Sequence, residues 1–489
     1  MEQLRTKSLS LNYILYNFRT VLEILLPLIT FPYITRVLGP DSLGRVGYAE
    51  SILGYFIIFS QLGVPSYGTR EIARVRDSLH NRSCTFWELT ILLAITTVIA
   101  AVSYFCTILS VPKFHANIVL YLVIFPNLIF NNFNYEWFYQ GVEDQSFITI
   151  RFIIIKILQI VAIFLLIKNA EQFVLYATIS VGLTSISAIM NIVHIHKYVS
   201  FEKLTSLHIK RHVRAILVIF ASVVGIQINR ILDITMIGSM IDDRSVSIYK
   251  VANQIVMIAR SLILGITVTM TPRIENLFAK GDMETYKKYL NVSLHFALML
   301  ALPMVAGIIL LSPSIIAIIA GEQYLDSILS MQLLSPIILI VNIANIIVSL
   351  ILYPNRKEIK YTIAISVGAF ANLVFNFFMI PVIGHNGAII GTVIAETICL
   401  LISTFFALPY LKQGIIARFG KELCKYIMAT AAMIILILVT KRFILNLIVL
   451  LLVDVALIIP FYFTILFIFR AKYLMDFKNL FLSKIAKRN

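Results

Sequence analysis

Charge is what this chain has least of. Only 13% of its 489 residues are Asp, Glu, Lys or Arg, about half the fraction found in an ordinary soluble protein. No polar stretch is long enough to surround a core, which excludes the three soluble domains that length alone suggests. Cysteine is scarce as well. Cys84, Cys106, Cys399 and Cys424 are scattered, with no CxxC and no His/Cys metal spacing, so neither a metal centre nor a cofactor is expected. No GxxxxGK[ST] occurs, which argues against a nucleotide-driven pump. Adjacent acids occur at Glu143-Asp144 and Asp242-Asp243, neither in a segment that forms a pocket, and no catalytic residue is assigned. Two glycosylation sequons, Asn81-Arg-Ser and Asn291-Val-Ser, fall on the expected cytosolic side or a helix edge and carry little weight.

Apolar runs are what the chain has in abundance. It is 59% hydrophobic with a mean hydropathy of +0.90. A membrane-spanning helix needs about 20 apolar residues. Runs of that kind lie at 11–38, 46–66, 86–109, 118–138, 147–168, 172–193, 215–239, 246–270, 291–319, 327–352, 361–381, 386–408, 424–440 and 443–469. They are too long and too uniformly apolar for the alternating strands of a barrel. The expected fold is therefore an all-α polytopic membrane protein of about fourteen transmembrane helices. The first run has basic residues ahead of it and no small-residue cleavage site, so it reads as a retained helix.

Net charge is +16, which in a soluble protein would raise nucleic acid as a partner. Here the basic residues fall in alternate loops instead. With the N-terminus in the cytosol, the inner loops hold Arg70, Arg74, Arg76, Arg82, Lys210, Arg211 and Arg214, among others. The outer loops hold only Arg45, Lys113, Lys168, Arg244, Lys441 and Arg442, an asymmetry above fourfold. The positive-inside rule then places both termini in the cytosol.

A weak parallel repeat is also legible. Leu38-Gly39, Tyr48-Ala49-Glu50-Ser51 and Arg70-Glu71 are echoed by Ile237-Gly238, Tyr249 with Ala252-Asn253-Gln254, and Pro272-Arg273-Ile274-Glu275. Two parallel six-helix halves around a midplane site are transporter architecture. The expected division is 1–200 for helices 1–6 and 201–410 for helices 7–12. Residues 411–489 hold helices 13–14 and a basic tail.

Leu26-Pro-Leu-Ile-Thr-Phe-Pro-Tyr-Ile-Thr-Arg-Val-Leu-Gly39, with Gly44, Ser51, Gly63 and Tyr67-Gly-Thr-Arg-Glu-Ile-Ala-Arg74 after it, is similar to the start of the Wzx-type O-antigen and capsule repeat-unit flippases. Phe133-Asn-Tyr-Glu-Trp-Phe-Tyr-Gln-Gly-Val-Glu143, followed by Ile150-Arg and Lys156, resembles that family's fourth-to-fifth helix turn. These proteins are polysaccharide transporters of the multidrug/oligosaccharidyl-lipid/polysaccharide exporter superfamily. The specific likeness covers about the first 160 residues. It implies a V of two helical lobes in the cytoplasmic (inner) membrane that flips an undecaprenyl-pyrophosphate-linked glycan. It further implies a polymerase and a chain-length regulator of the same pathway as partners.

Charges inside spans carry the candidate chemistry, because each costs about 2.5–3.5 kcal/mol to insert at the membrane centre. Arg19 and Glu23 share a helix face in the first span. Gln227, Arg230 and Asp233 line up in the seventh, and Lys250, Asn253, Met257 and Arg260 in the eighth. One reading is a water-filled cavity whose cations hold pyrophosphate, for which a guanidinium fork is suited. The other is that Arg19–Glu23 and Arg230–Asp233 neutralise each other and lock helices; for these pairs both readings stay open. Lys250 and Arg260 lack an acid in their own helix, which favours the cavity. Arg36 and Arg45 lie near helix ends and suit the outer mouth, whereas Arg151 reads as an interfacial anchor. Glu23, Asp233 and Glu396 are candidates for coupling to protons or sodium. Asn127, Asn131, Asn134, Asn342, Asn345, Asn372 and Asn376 recur at helical spacing and read first as packing, with sugar hydroxyls as the alternative. Trp137 and its aromatic neighbours suit an interfacial belt.

The expected cycle is alternating access, with the polyprenyl tail left in lipid. A multidrug cation antiporter is the rival within the superfamily, but in-span bases outnumber acids, which favours an anionic cargo. A lipid II flippase needs the same pyrophosphate site and is harder to separate. A membrane glycosyltransferase or polymerase is the rival from another class. It usually needs a substantial external domain, and every external loop here is under about ten residues.

Overall fold

The computed structural model describes residues 9–200, 207–411, 419–444 and 446–475. Among these every regular element is helical. The helices are α1 (Leu9–Gln61), α2 (Val64–Val75), α3 (Leu79–Ser110), α4 (Pro112–His115), α5 (Ile118–Ile124), α6 (Pro126–Asn132), α7 (Glu136–Gly141), α8 (Gln145–Leu166) and α9 (Phe173–His194). They continue with α10 (Lys210–Met240), α11 (Asp243–Ala279), α12 (Met283–Ile319), α13 (Ser327–Leu334), α14 (Ile337–Ile347), α15 (Glu358–Ile383), α16 (His385–Leu411), α17 (Phe419–Phe443) and α18 (Leu447–Ile468).

Twelve helical stretches among the described residues are long and apolar enough to cross a membrane, or thirteen with a bent pair taken as one span. The first stretch, Phe18–Val75, has 58 residues, about 87 Å of helix and nearly three bilayer cores. It therefore holds both of the first two expected spans, which brings the count into line with about fourteen. The bent pair is α10, which turns by 48° between Lys210–Ala221 and Val224–Met240.

Breaks fall where the backbone chemistry requires them. Inside α1, Gly39 takes φ 69° and ψ 175°, a conformation open to glycine and strained for any side chain. Pro40 follows and offers no amide hydrogen. The fourth span is not one continuous helix, as its apolar run suggested, but three short ones. Pro126 begins α6, and Tyr135, at φ 54°, interrupts the chain before α7. Pro336 likewise separates α13 from α14, and α14 passes into a wider π turn over Val348–Leu352.

The chain forms two compact units, Met1–Ser247 and Ile248–Asn489. In the first, α1 packs against α3, α8 and α10, and α2 packs against α7. Its core joins Val64, Tyr67, Ile72, Phe86, Leu89 and Leu93 to Tyr135, Trp137, Phe138 and Tyr139. Trp137 is 4% exposed, so this aromatic run is core and not the interfacial belt expected. The reason is close approach: a Cβ on Gly68 would lie 2.5 Å from the Trp137 ring, and one on Gly141 would lie 2.8 Å from Ile72. Small residues let α2 and α7 meet nearly at backbone distance, the usual way helices pack where lipid is as apolar as leucine. In the second unit α15 pairs with α16, while α17 and α18 pack on α12 through Met299, Tyr426, Met433 and Tyr462.

Candidate functional site

The first unit carries a partly buried charge cluster that no single helix reveals. Arg19 on α1 reaches Glu23 with Nε–Oε1 at 2.8 Å and Glu136 with Nη2–Oε2 at 3.0 Å. Glu136, at the start of α7, also pairs with Arg151 of α8. Arg151 is 2% exposed and donates to Asn134 Oδ1 at 3.3 Å, which in turn accepts from Asn191 Nδ2 at 2.7 Å. It is thus a buried partner and not the interfacial anchor read from its position near a helix end. Lys156, on the same helix, lies within electrostatic reach of Glu23 and donates to Gln159 at 2.9 Å. Three cations against two carboxylates leave one excess positive charge here.

Glu136 also faces a cavity of about 480 Å³. Its other lining groups include Gln61, Thr69, Arg70, Asn131, Gln140 and Trp137. Gln61 Nε2 donates to Asn131 Oδ1 at 3.0 Å. The neighbouring Asn132 donates to Ser60 and Thr97, at 2.8 and 2.7 Å. Of the amides that recur along the fourth span, Asn131 and Asn134 reach the cavity wall, and Asn132 both lines it and ties helices together. A wall of amides, hydroxyls and one carboxylate matches sugar hydroxyls, which both donate and accept.

Other sequence-chosen residues are more dispersed. In the first unit Arg230 is exposed while Asp233 is buried, and Arg230 makes no ion pair with a described residue; the two do not neutralise each other. Arg36 is exposed. Arg45, also exposed, lies with its guanidinium 5.5 Å from the centre of the Phe173 ring. In the second unit Lys250, Asn253, Arg260 and Glu396 are half-buried. Arg260 and Glu396, from different helices, both lie within electrostatic reach of Tyr361. Asn342 Nδ2 bonds the carbonyl of Ile338 in its own helix at 2.7 Å and that of Arg260 on α11 at 3.4 Å. Residues 412–418, with the basic pair Lys412 and Arg418, and the tail beyond 475 lie outside the described residues.

Sequence reasoning passed over Glu88 and Glu136, although both fall inside predicted spans. Glu88 on α3 is 1% exposed. It accepts from the His208 amide at 2.6 Å, from His212 at 2.8 Å and twice from Arg211, at 3.1 and 2.5 Å. The signal was available: each is an acid in an apolar run, where an unpaired charge would be costly. Their partners lie too far along the chain for helical spacing to reveal.

An all-helical, multi-pass protein with polar cavities and a charge cluster among its membrane helices is built as a membrane transporter. Residues 11–278 match the polysaccharide biosynthesis protein family, and the chain belongs to it; residues 218–382 also match the MatE family. A curated relative from Escherichia coli (strain K12), described as "Putative O-antigen transporter", is 25% identical over 78% of this chain and 91% of its own. Among solved structures, the lipid II flippase MurJ in an inward closed conformation superposes with a TM-score of 0.77 at 18% identity, over 93% of this chain and 98% of that one. A multidrug resistance MATE family transporter of the MOP superfamily, inward-facing, gives 0.60 at 17% identity, over 79% and 94%. This bears out the family read from the N-terminal motifs. The chain is a polysaccharide transporter of that superfamily and not an enzyme.

Proposed function

We propose that this protein flips undecaprenyl-pyrophosphate-linked oligosaccharide repeat units across the cytoplasmic membrane by alternating access, with both termini in the cytosol. The observation that carries the reading is the cavity of about 480 Å³ walled by Gln61, Asn131, Gln140, Glu136 and Arg70. Amides suit a glycan and the arginine suits the phosphates beside it. Arg19, Arg36, Arg45, Arg230, Lys250, Asn253 and Arg260 serve pyrophosphate and glycan along the route. Glu23, Asp233 and Glu396 are the acids available for ion coupling, Glu23 being the one held against Arg19. The lobes 1–200 and 201–410, with 411–489 outside them, belong to the same proposal. So do the polymerase and the chain-length regulator as partners. An outward move of two phosphate charges gains roughly 4–5 kcal/mol at 100 mV, negative inside, which supplies direction without a nucleotide.

Complementation of a strain lacking its own repeat-unit flippase tests this. Wild type restores surface polymer, while Arg230→Ala, Lys250→Ala and Arg260→Ala, each present at normal level, lose it. Failure of the wild type in several acceptor strains, at normal expression, would refute the cargo assignment.

A further inference from the structure

A second cavity, of about 740 Å³, lies where α2, α3 and α10 meet, and of the residues assigned to the cargo above it shares Arg70 alone. Four arginines do: Arg70 and Arg74 from α2, Arg211 and Arg214 from α10. One carboxylate, Glu71, also lines it, and Arg74 Nη1 neutralises it at 2.7 Å. Arg211 is steadied from below by the buried Glu88. An ionised carboxylate only accepts, so His212 Nε2 donates to it, while His212 Nδ1 meets the Tyr67 hydroxyl at 2.7 Å. Arg70 and Arg214 are exposed and make no ion pair with a described residue.

Positive-inside arginines need none of this. Others nearby are consumed internally: Arg82 donates to the carbonyls of Tyr198 and Arg76, and Arg76 pairs with Glu143. A fully buried carboxylate is costly unless its lone pairs are satisfied. Glu88 accepts four hydrogen bonds and so fixes the inner end of α10 against α3. The remaining wall is an apolar stretch of Val75, Ala215, Val218 and Ile219 beside the polar side chains of Tyr67, Thr85 and His212. Arg70 lines this cavity and the amide-walled one alike.

We infer that this pocket is a loading site for the diphosphate of a polyprenyl-linked substrate, held by Arg70 and Arg214 with the apolar wall against the first prenyl units. The inference rests on the proposed function and adds to it a second anion site beside the glycan cavity. Three chemistries then follow one another in space: amides for sugar, arginines for phosphate and aliphatic side chains for hydrocarbon. Phosphodiester headgroups of ordinary anionic lipids share part of this chemistry, and the test separates the two.

The purified full-length protein is titrated with undecaprenyl diphosphate, without sugar, and separately with phosphatidylglycerol, by native mass spectrometry. Loss of two charge-assisted contacts predicts at least a tenfold weaker Kd for the diphosphate in Arg70→Gln/Arg214→Gln. Lys421→Gln, the control for lost positive charge, changes it less than twofold. Equal weakening for phosphatidylglycerol would show a general headgroup patch and overturn the inference. A measurement on the wild type alone guards against a misfolded variant. Bound undecaprenyl diphosphate shields Arg70 and Arg214 from phenylglyoxal, read by peptide mass. Full modification of both while the diphosphate is bound overturns the site. In either failure, complementation by the wild type would still stand, so the flippase reading is judged separately.

Discussion

Glu136 is the residue on which most of the first unit's buried charge depends. It accepts from Arg19 and Arg151 together, so its removal leaves the buried Arg151 without an acid and Arg19 with Glu23 alone. Glu136→Gln is expected to destabilise the protein by about 3–5 kcal/mol, read as a lower melting temperature in detergent. Glu136→Asp, which keeps the charge on a shorter stem, loses less. Arg19 poses the converse question. If its role is only to hold Glu136, Arg19→Lys keeps transport near normal; if the fork contacts phosphate, Arg19→Lys loses transport while the fold survives. Complementation with both variants, scored against protein level, separates the two.

Residue-level chemistry was only partly legible in advance. The pairing of Arg19 with Glu23 follows from a spacing of four. The Glu136–Arg151 and Glu88–Arg211 pairs join separate helices, and one sequence holds no record of which helix faces meet. Trp137 was misjudged for a related reason. An aromatic run beside polar residues has the composition of a membrane interface, yet here Gly68 admits the indole against α2.

Among the elements, the spans were legible because about 20 apolar residues in a row leave few alternatives. Their breaks were less so. Gly39-Pro40 announces a helix end, whereas the interruption at Tyr135 depends on tertiary contacts that override a residue with no tendency to positive φ. Two glycines measure how tightly these elements are set. Gly39→Ala forces a side chain into a conformation costing about 1–3 kcal/mol. Gly68→Ala pushes a methyl into the Trp137 ring and costs about 1–3 kcal/mol by overpacking. Thermal melting of each variant checks both; unchanged melting for Gly68→Ala would mean that α2 and α7 can part without loss.

For the molecule as a whole, the composition excluded a soluble enzyme before any residue was considered, and the likeness to MurJ and MATE structures fixes the fold. The cargo lies a step further, because one fold can serve many functions and the site must decide between them. On the proposed function the sites suit an anion: four arginines and one neutralised acid line the larger cavity, and the charge cluster beside the amide-walled one keeps a net positive charge. An anionic cargo also makes the membrane potential a driving force.

The most direct measurement is flipping itself. Proteoliposomes are loaded with an undecaprenyl-diphosphate oligosaccharide, and a membrane-impermeant lectin reports the fraction facing outward. Measurements are made with and without a potassium-diffusion potential at equal pH. The account predicts protein-dependent movement of the glycan toward the positive side, faster with the potential than without it. Movement no faster than in protein-free vesicles, at either potential, would contradict it.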